Sequence, residues 1–281
     1  MRILVTGAAG QVGGRLVEVL SSKHDVTAID ITDLDITQFE AVQAYINDSQ
    51  PELVINPAAW TDVDGCAKNP EKAILINGYG AQNLAIATKN IGAAILQVSS
   101  NEVFDGQLQQ PYDEYATTNP INPYGYSKYV GERAVMATNP RHYIVRMSWL
   151  FAHGGRNFIH AILDAAKAGK TLKVVVNEVA NPTYNNDFVD ALAQLIETER
   201  YGTYHLVNQG TISRYGFARY FLDKAGLADV PVERISRHQW QRPSVPPLYT
   251  DLANIAGKSV GITLRTWQEA VDAFLEAENL I

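Results

Sequence analysis

The sequence predicts an α/β protein: a Rossmann-type, doubly wound parallel sheet with a smaller C-terminal α/β lobe. Three observations carry this. Short β-rich runs alternate with helical patterns through the first half. A glycine-rich turn, Gly7-Ala8-Ala9-Gly10-Gln11-Val12-Gly13, follows the first apolar run and opens the first helix. The second half loses the alternation and is broken up by Pro231, Pro243, Pro246 and Pro247.

Taken in order, residues 3–6, 26–30, 53–56, 94–99 and 143–148 have the length and β-rich composition of strands. Helical patterns fill 12–20, 38–47, 71–90 and 124–137; in the third, Ala81, Leu84, Ala85 and Thr88 share one face. Beyond residue 150 the spacing predicts a helix over 157–168 ending near Gly169, and strands over 172–176 and 203–207 with a helix over 187–199 between them. Ser213 suits the N-cap of a helix reaching Ala225, the proline-rich stretch after it reads as loops, and a last amphipathic helix covers 266–278. Residues 1–150 are therefore expected to form an NAD(P)-binding domain and 151–281 mainly a substrate-binding lobe, with a segment near 185–210 returning to the first domain.

The chain has 281 residues, enough for one large core or two linked lobes. Its formal net charge of −7 argues against nucleic-acid binding and leaves room for a local basic pocket that takes an anionic ligand. Cys66 is the sole cysteine, so an intrachain disulfide is excluded, and Met1-Arg2-Ile3-Leu4-Val5 reads as a strand and not as a signal peptide; both point to the cytoplasm. No apolar run approaches the ~20 residues that span a bilayer. The six histidines show no zinc-ligand spacing, and no metal is expected.

The glycine turn has a physical reading. A tight strand-to-helix turn needs a residue without Cβ, close approach of backbone to a pyrophosphate needs another, and the helix N-terminus supplies unpaired N–H groups. A plain glycine-rich turn is the alternative; the strand–turn–helix context favours the dinucleotide. Asp30 follows at the end of the second strand, where an acid accepts hydrogen bonds from the adenosine ribose and repels a 2′-phosphate. This leans toward NAD(H), although Arg15, if it faced the pocket, would favour NADP(H).

Tyr124 and Lys128 are one helical turn apart in Tyr124-Gly125-Tyr126-Ser127-Lys128, so they share a helix face. A free phenol has a pKa near ~10. A nearby ammonium and a pyridinium favour the phenolate and bring its proton into use near neutrality. A Tyr and a Lys packing on an amphipathic helix is the alternative. Ser100 closes an apolar strand between the two motifs and can donate to a carbonyl oxygen together with Tyr124. The set suggests nicotinamide-dependent chemistry on a carbonyl or carbinol.

These residues resemble the extended short-chain dehydrogenase/reductases and, more narrowly, the dTDP-4-dehydrorhamnose reductase family. The likeness runs through Gly-Ala-Ala-Gly-Gln-Val-Gly at 7–13, Leu-Asp-Ile-Thr at 34–37, Ala-Ala-Trp-Thr-Asp-Val-Asp at 58–64 and Tyr-Gly-Tyr-Ser-Lys at 124–128. It continues through Arg-Met-Ser-Trp-Leu-Phe at 146–151, Gly-Arg-Asn-Phe at 155–158, Asn-Pro-Thr at 181–183 and Gly-Thr-Tyr-His-Leu-Val at 202–207. The resemblance implies hydride reduction of the C4 keto group of a dTDP-4-keto-6-deoxyhexose with NAD(H) or NADP(H). It assigns Ser100, Tyr124 and Lys128 to catalysis. It assigns Gly7, Gly10, Gln11, Val12, Gly13, Asp30, Asp35, Ile36, Ala58, Ala59 and Lys128 to the cofactor. Ser100, Glu102, Trp149, Asn157, Phe158 and Arg242 go to the nucleotide-diphosphate sugar, with Arg242 suited to the diphosphate; core packing for Trp149 and an exposed loop for Arg242 are the alternatives. The oligomeric state stays open, a homodimer being one option.

The sequence departs from the family at Ser99-Ser100-Asn101-Glu102-Val103-Phe104, where the reductases usually read Ser-Thr-Asp-Tyr-Val-Phe, and at Pro57. Ser-Ser-Asn-Glu also resembles the Ser-Thr-Asp-Glu of sugar-nucleotide 4,6-dehydratases, but an asparagine amide cannot act as the acid that elimination requires. A nicotinamide-binding regulatory subunit is a further alternative, against which the retention of Ser100, Tyr124 and Lys128 counts.

Overall fold

The computed structural model describes residues 1–155 and 157–281; Arg156, within the Gly-Arg-Asn-Phe stretch, lies outside the described residues. Six parallel strands form the main sheet: β1 (Arg2–Val5), β2 (Asp25–Ala28), β3 (Leu53–Asn56), β4 (Ala94–Ser100), β5 (His142–Met147) and β6 (Gly202–His205). Their spatial order is β6-β5-β4-β3-β1-β2, and every neighbouring pair is parallel. Parallel neighbours need crossover connections, which helices supply. These include α1 (Gln11–Leu20), α2 (Phe39–Ser49), α3 (Gly80–Asn90) and α4 (Pro123–Thr138).

Burial follows from this arrangement. Leu53 to Asn56 and Ala94 to Ser100 are buried at every position, as strands covered on both faces must be. One face packs Val12, Leu16 and Leu20 of α1, with Phe188, Leu192 and Leu195 of a helix from the second half, against Ile3, Val5, Leu96 and Val145. The other packs Val42 and Ile46 of α2, Leu84 of α3 and Val135 of α4 against Leu4, Val54, Ile95 and Ile144. Near the carboxyl ends of the central strands runs a polar ladder. Thr6 Oγ1 donates to Asn56 Oδ1 (2.6 Å), Asn56 Nδ2 to Gln97 Oε1 (2.6 Å), and Gln97 Nε2 to the Val98 carbonyl (3.0 Å).

After β5 the helices are α5 (Phe158–Lys167), α6 (Asn185–Ile196), α7 (Arg214–Lys224) and α8 (Trp267–Ala277). Helix α6 packs on α1 and leads into β6, so this stretch belongs to the main sheet. A separate aromatic core holds α5, α7 and α8 together through Phe151, Leu163, Phe217, Phe221, Trp267 and Phe274. Ser213 caps α7 by accepting from Gly216 N–H, and Thr266 with Glu269 forms a capping box on α8. The stretch after Pro231 differs from the expected loops: Val232–Ile235 is a strand pairing in parallel with Leu172–Val175. Two-residue strands at Val179–Ala180, Ile212–Ser213 and Tyr249–Thr250 form a small sheet beside the cleft described below.

Candidate active site

The cleft lies beyond the carboxyl ends of the central strands, where open α/β sheets bind their ligands. Its larger part, about 620 Å³, is lined by the glycine turn, by Ala58 and Ala59 after β3, by Ser99 to Glu102 after β4, and by Tyr124, Lys128 and Trp149. An adjoining apolar part of about 290 Å³ is lined by Ile29, Leu34, Asp35, Ile36, Trp60 and Ile76 and shares Gly7, Asp30, Ala58 and Ala59 with the first.

The turn is built for close approach. Gly7 has φ +57° in the left-handed region, and a Cβ there would lie 2.9 Å from Ala58 Cα. A Cβ on Gly13 would sit 2.2 Å from the Gly7 carbonyl oxygen. Gly10 is the N-cap of α1 and brings no side chain to its first N–H groups, which face the cleft from Gln11, Val12 and Gly13. A dinucleotide pyrophosphate fits this cradle. Strand β2 ends at Ala28, so Asp30 stands just beyond it, at the junction of the two parts of the cleft. Its Oδ2 accepts from Ala9 N–H at 2.9 Å and ties the turn to the β2 end. Asp35 accepts from the Thr37 N–H and hydroxyl, which hold its carboxyl below the usual range. Arg15 pairs with Glu18 at 2.7 Å along α1.

The catalytic candidates converge because α4 starts against the end of β4. Asn122 caps α4 by accepting from Gly125 N–H (2.8 Å), and its Nδ2 donates to Glu102 Oε2 (2.6 Å). Gly125 makes the approach possible, since a Cβ there would lie 2.0 Å from the Glu102 carbonyl oxygen. Ser100, Tyr124 and Lys128 are 6%, 7% and 4% exposed, so these candidate groups are nearly removed from water. The electrostatics correct the sequence expectation for the tyrosine. Burial first, and then the nearby Glu102 carboxylate, push the Tyr124 phenol up, and the Ser100 hydroxyl offsets only part of this. Burial lowers the Lys128 ammonium to about 8, against the pull of Glu132. Without cofactor the pair is thus a protonated phenol beside a weakened ammonium.

The departures from the family pattern become intelligible here. Asn101 lines the cleft, accepts from the Ser100 hydroxyl at 3.2 Å and donates to Thr250 Oγ1 at 2.6 Å, joining β4 to the second lobe. Glu102 keeps its carboxylate at the cleft, and burial pushes its pKa up.

The substrate-side expectations divide. Trp149 lines the cleft, with the unusual φ of +40° for a bulky side chain. Asn157 does not line it: its Oδ1 caps α5 by accepting from His160 N–H (3.2 Å), and its amide donates to the Ala152 carbonyl (2.9 Å). Phe158 is likewise absent from the lining and stacks on Phe217 with centroids 5.9 Å apart. Arg242 is committed to Asp64, Nε to Oδ1 at 2.9 Å. Sequence reasoning missed Arg214, which lines the cleft with its guanidinium 3.6 Å from the Trp149 ring centroid.

A parallel sheet carrying a glycine-turn dinucleotide cradle, with Ser, Tyr and Lys meeting at the strand ends, defines an extended short-chain dehydrogenase/reductase. The sequence matches the family described as RmlD substrate binding domain over residues 1–280, and the chain belongs to that family. It is similar to the spore coat polysaccharide biosynthesis protein SpsK of Bacillus subtilis, 34% identical over 99% of this chain and 98% of that one. The dTDP-4-dehydrorhamnose reductase of Aggregatibacter actinomycetemcomitans is 35% identical over 96% of this chain and 97% of its own. Among solved structures, a dTDP-4-dehydrorhamnose reductase from Clostridium acetobutylicum superposes with a TM-score of 0.95 at 36% identity, covering 99% of this chain and 100% of that one. The Bacillus anthracis enzyme in complex with NADP gives 0.94 at 33% identity, covering 98% and 99%.

Proposed function

We propose that this protein reduces the C4 keto group of a dTDP-linked 4-keto-6-deoxyhexose with NADPH or NADH, yielding dTDP-L-rhamnose or a close relative, in the cytoplasm. The observation that carries the reading is the meeting of Ser100, Tyr124 and Lys128 in one water-poor cleft next to the glycine cradle. The kin named as dTDP-4-dehydrorhamnose reductases support the substrate class.

Gly7, Gly10 and Gly13 leave room for the pyrophosphate, with the first N–H groups of α1 as donors. Asp30, Asp35, Ile36, Ala58 and Ala59, which line the cleft beside the cradle, would hold the adenosine end, and Lys128 would hold the nicotinamide ribose. When bound, the reduced nicotinamide supplies a hydride. Ser100 and Tyr124 donate hydrogen bonds to the carbonyl oxygen and stabilise the charge that grows there. Tyr124 then gives its proton to that oxygen, which becomes the carbinol. A phenol kept protonated by burial and by Glu102 is in the form this step consumes. Trp149 and the lobe of residues 151–281, apart from the segment near 185–210, flank the sugar nucleotide. Asn101, its amide spent on Thr250, leaves no acid beside Glu102, which disfavours dehydration.

The test follows reduced-nicotinamide absorbance with enzymatically made dTDP-4-keto-6-deoxy-L-hexose, using NADH and NADPH in turn. Signal loss with a dTDP-L-rhamnose product supports the reading and ranks the cofactors. Tyr124→Phe is expected to cut turnover at least ~10²-fold with cofactor binding little changed. Near-normal turnover in that variant removes Tyr124 from its role.

A further inference from the structure

Arg214 sits in an arrangement that ordinary folding does not explain. It opens α7, where the helix dipole is positive and a cation is disfavoured. Its guanidinium lies over Trp149, with the Phe158 ring centroid 5.2 Å away. Antiparallel pairing of Ile212–Ser213 with Val179–Ala180 brings Glu178 beside it, and Arg214 N–H donates to the Glu178 carbonyl at 3.0 Å. Yet the nearest carboxylate oxygen, Glu178 Oε2, is 3.9 Å from Arg214 Nε, and among the described residues the guanidinium finds no hydrogen-bond acceptor. Five donors in a fixed fork are therefore held at the cleft wall with a long ion pair to Glu178 and, among the described residues, no hydrogen-bonded acceptor. Arg242, the other guanidinium near Glu102 and Glu178, pairs with Asp64 through its Nε and does not line the cleft.

We propose that Arg214 is the diphosphate-binding residue of the sugar-nucleotide site, and that Trp149 is a positioning residue that acts by holding the Arg214 guanidinium. The inference rests on the proposed function, since in a dTDP-linked keto sugar the anionic group is the diphosphate. Its non-ester oxygens match the guanidinium fork and replace the distant Glu178 as partner. The left-handed backbone of Trp149 belongs to the same design, because strained residues persist where the surroundings hold a side chain in a required place.

The experiment uses the protein saturated with oxidised cofactor and titrated with dTDP by calorimetry, alongside steady-state kinetics with the keto sugar nucleotide. Arg214→Met is expected to weaken dTDP binding, and to raise KM for the sugar nucleotide, on the order of 10- to 100-fold. KM for the reduced cofactor should stay within about twofold of wild type, a split that general structural damage does not produce. Arg214→Lys keeps the charge and guards against misfolding of the methionine variant; it should recover only part of the affinity. Trp149→Phe should bind dTDP closer to wild type than Trp149→Ala, as a platform role requires. Equal dTDP affinity in wild type and both Arg214 variants overturns the inference, even if keto-sugar reduction is observed. Arg214-dependent dTDP binding without turnover of any dTDP-linked keto sugar upholds the inference and overturns the proposed reaction.

Discussion

At the scale of the residue, the site follows from how burial treats charge. Lys128 is the case with the clearest consequence, its ammonium lowered from 10.5 to about 8 mainly by desolvation. The cofactor-free protein therefore loses this positive charge as pH rises through about 8, well before an exposed lysine would. Because kcat/KM for the reduced cofactor reports the free enzyme, it should fall above pH 8 by about tenfold per unit. A profile from pH 6 to 10 checks this, and a flat limb would mean that the required charge lies elsewhere. Tyr124, Lys128 and Ser100 were legible because motif spacing and strand ends are local facts. Arg214 was not, although a clue was present: a basic residue directly after the N-cap Ser213 opposes the helix dipole and calls for another reason to be there. Asn157 shows the converse case. An asparagine just before a helical pattern is first of all an N-cap, and that is how its oxygen is used.

At the scale of the element, the most consequential feature is a π-helical stretch, Ile74–Tyr79, that runs into α3. The hydrophobic pattern announced one helix over 71–90 and hid this turn, since one extra residue hardly disturbs a 3.6-residue period. The turn carries Asn77, which is 2% exposed and whose side chain satisfies three groups. Asn77 Oδ1 accepts from Trp60 N–H (2.7 Å), and Nδ2 donates to the Trp60 carbonyl (3.1 Å) and to Ser127 Oγ (2.8 Å). One amide thus pins the loop after β3, which lines the apolar part of the cleft, to the helix that bears Tyr124 and Lys128. Asn77→Ala leaves these groups unpaired and should destabilise the protein by about 2 kcal/mol in urea unfolding, while raising KM for the cofactor. A loss below about 0.5 kcal/mol would mean that water replaces the amide at no cost. The short strands of the second lobe were illegible for a different reason. Two residues have no period, and Val179–Ala180 becomes a strand only by pairing with partners at 212–213 and 249–250.

At the scale of the whole molecule, the alternation of the first half fixes a parallel sheet, but it says nothing about how the sheet closes on the second half. That closure uses a buried polar chain. Glu132 of α4 grips Arg146 of β5 through both carboxylate oxygens (2.8 and 2.7 Å), and Arg146 Nη1 reaches His205 Nε2 of β6 at 3.2 Å. Arg146 and His205 are 59 positions apart, so no local pattern announces their meeting. The arrangement dictates the tautomer. Nε2 faces a donor and must accept, so Nδ1 carries the proton and donates to the Ala253 carbonyl at 3.1 Å. Burial first, and the Arg146 charge second, lower His205 from 6.5 to about 3. The sign of the consequence is definite. Between about pH 6.5 and 3 the unfolded chain binds a proton here that the folded protein does not, so stability falls as pH is lowered through this window. One proton sets the slope at no more than about 1.4 kcal/mol per pH unit. Carboxylates titrate in the same range, so the measurement is a difference. Wild type and His205→Gln, which keeps a donor and an acceptor without a titrating ring, are unfolded with urea at several values between pH 7 and 4. The variant should lose stability more gently toward acid than wild type. Parallel curves would mean that the folded protein admits the proton at His205, and hence that the join between β5 and β6 opens more readily than its hydrogen bonds imply.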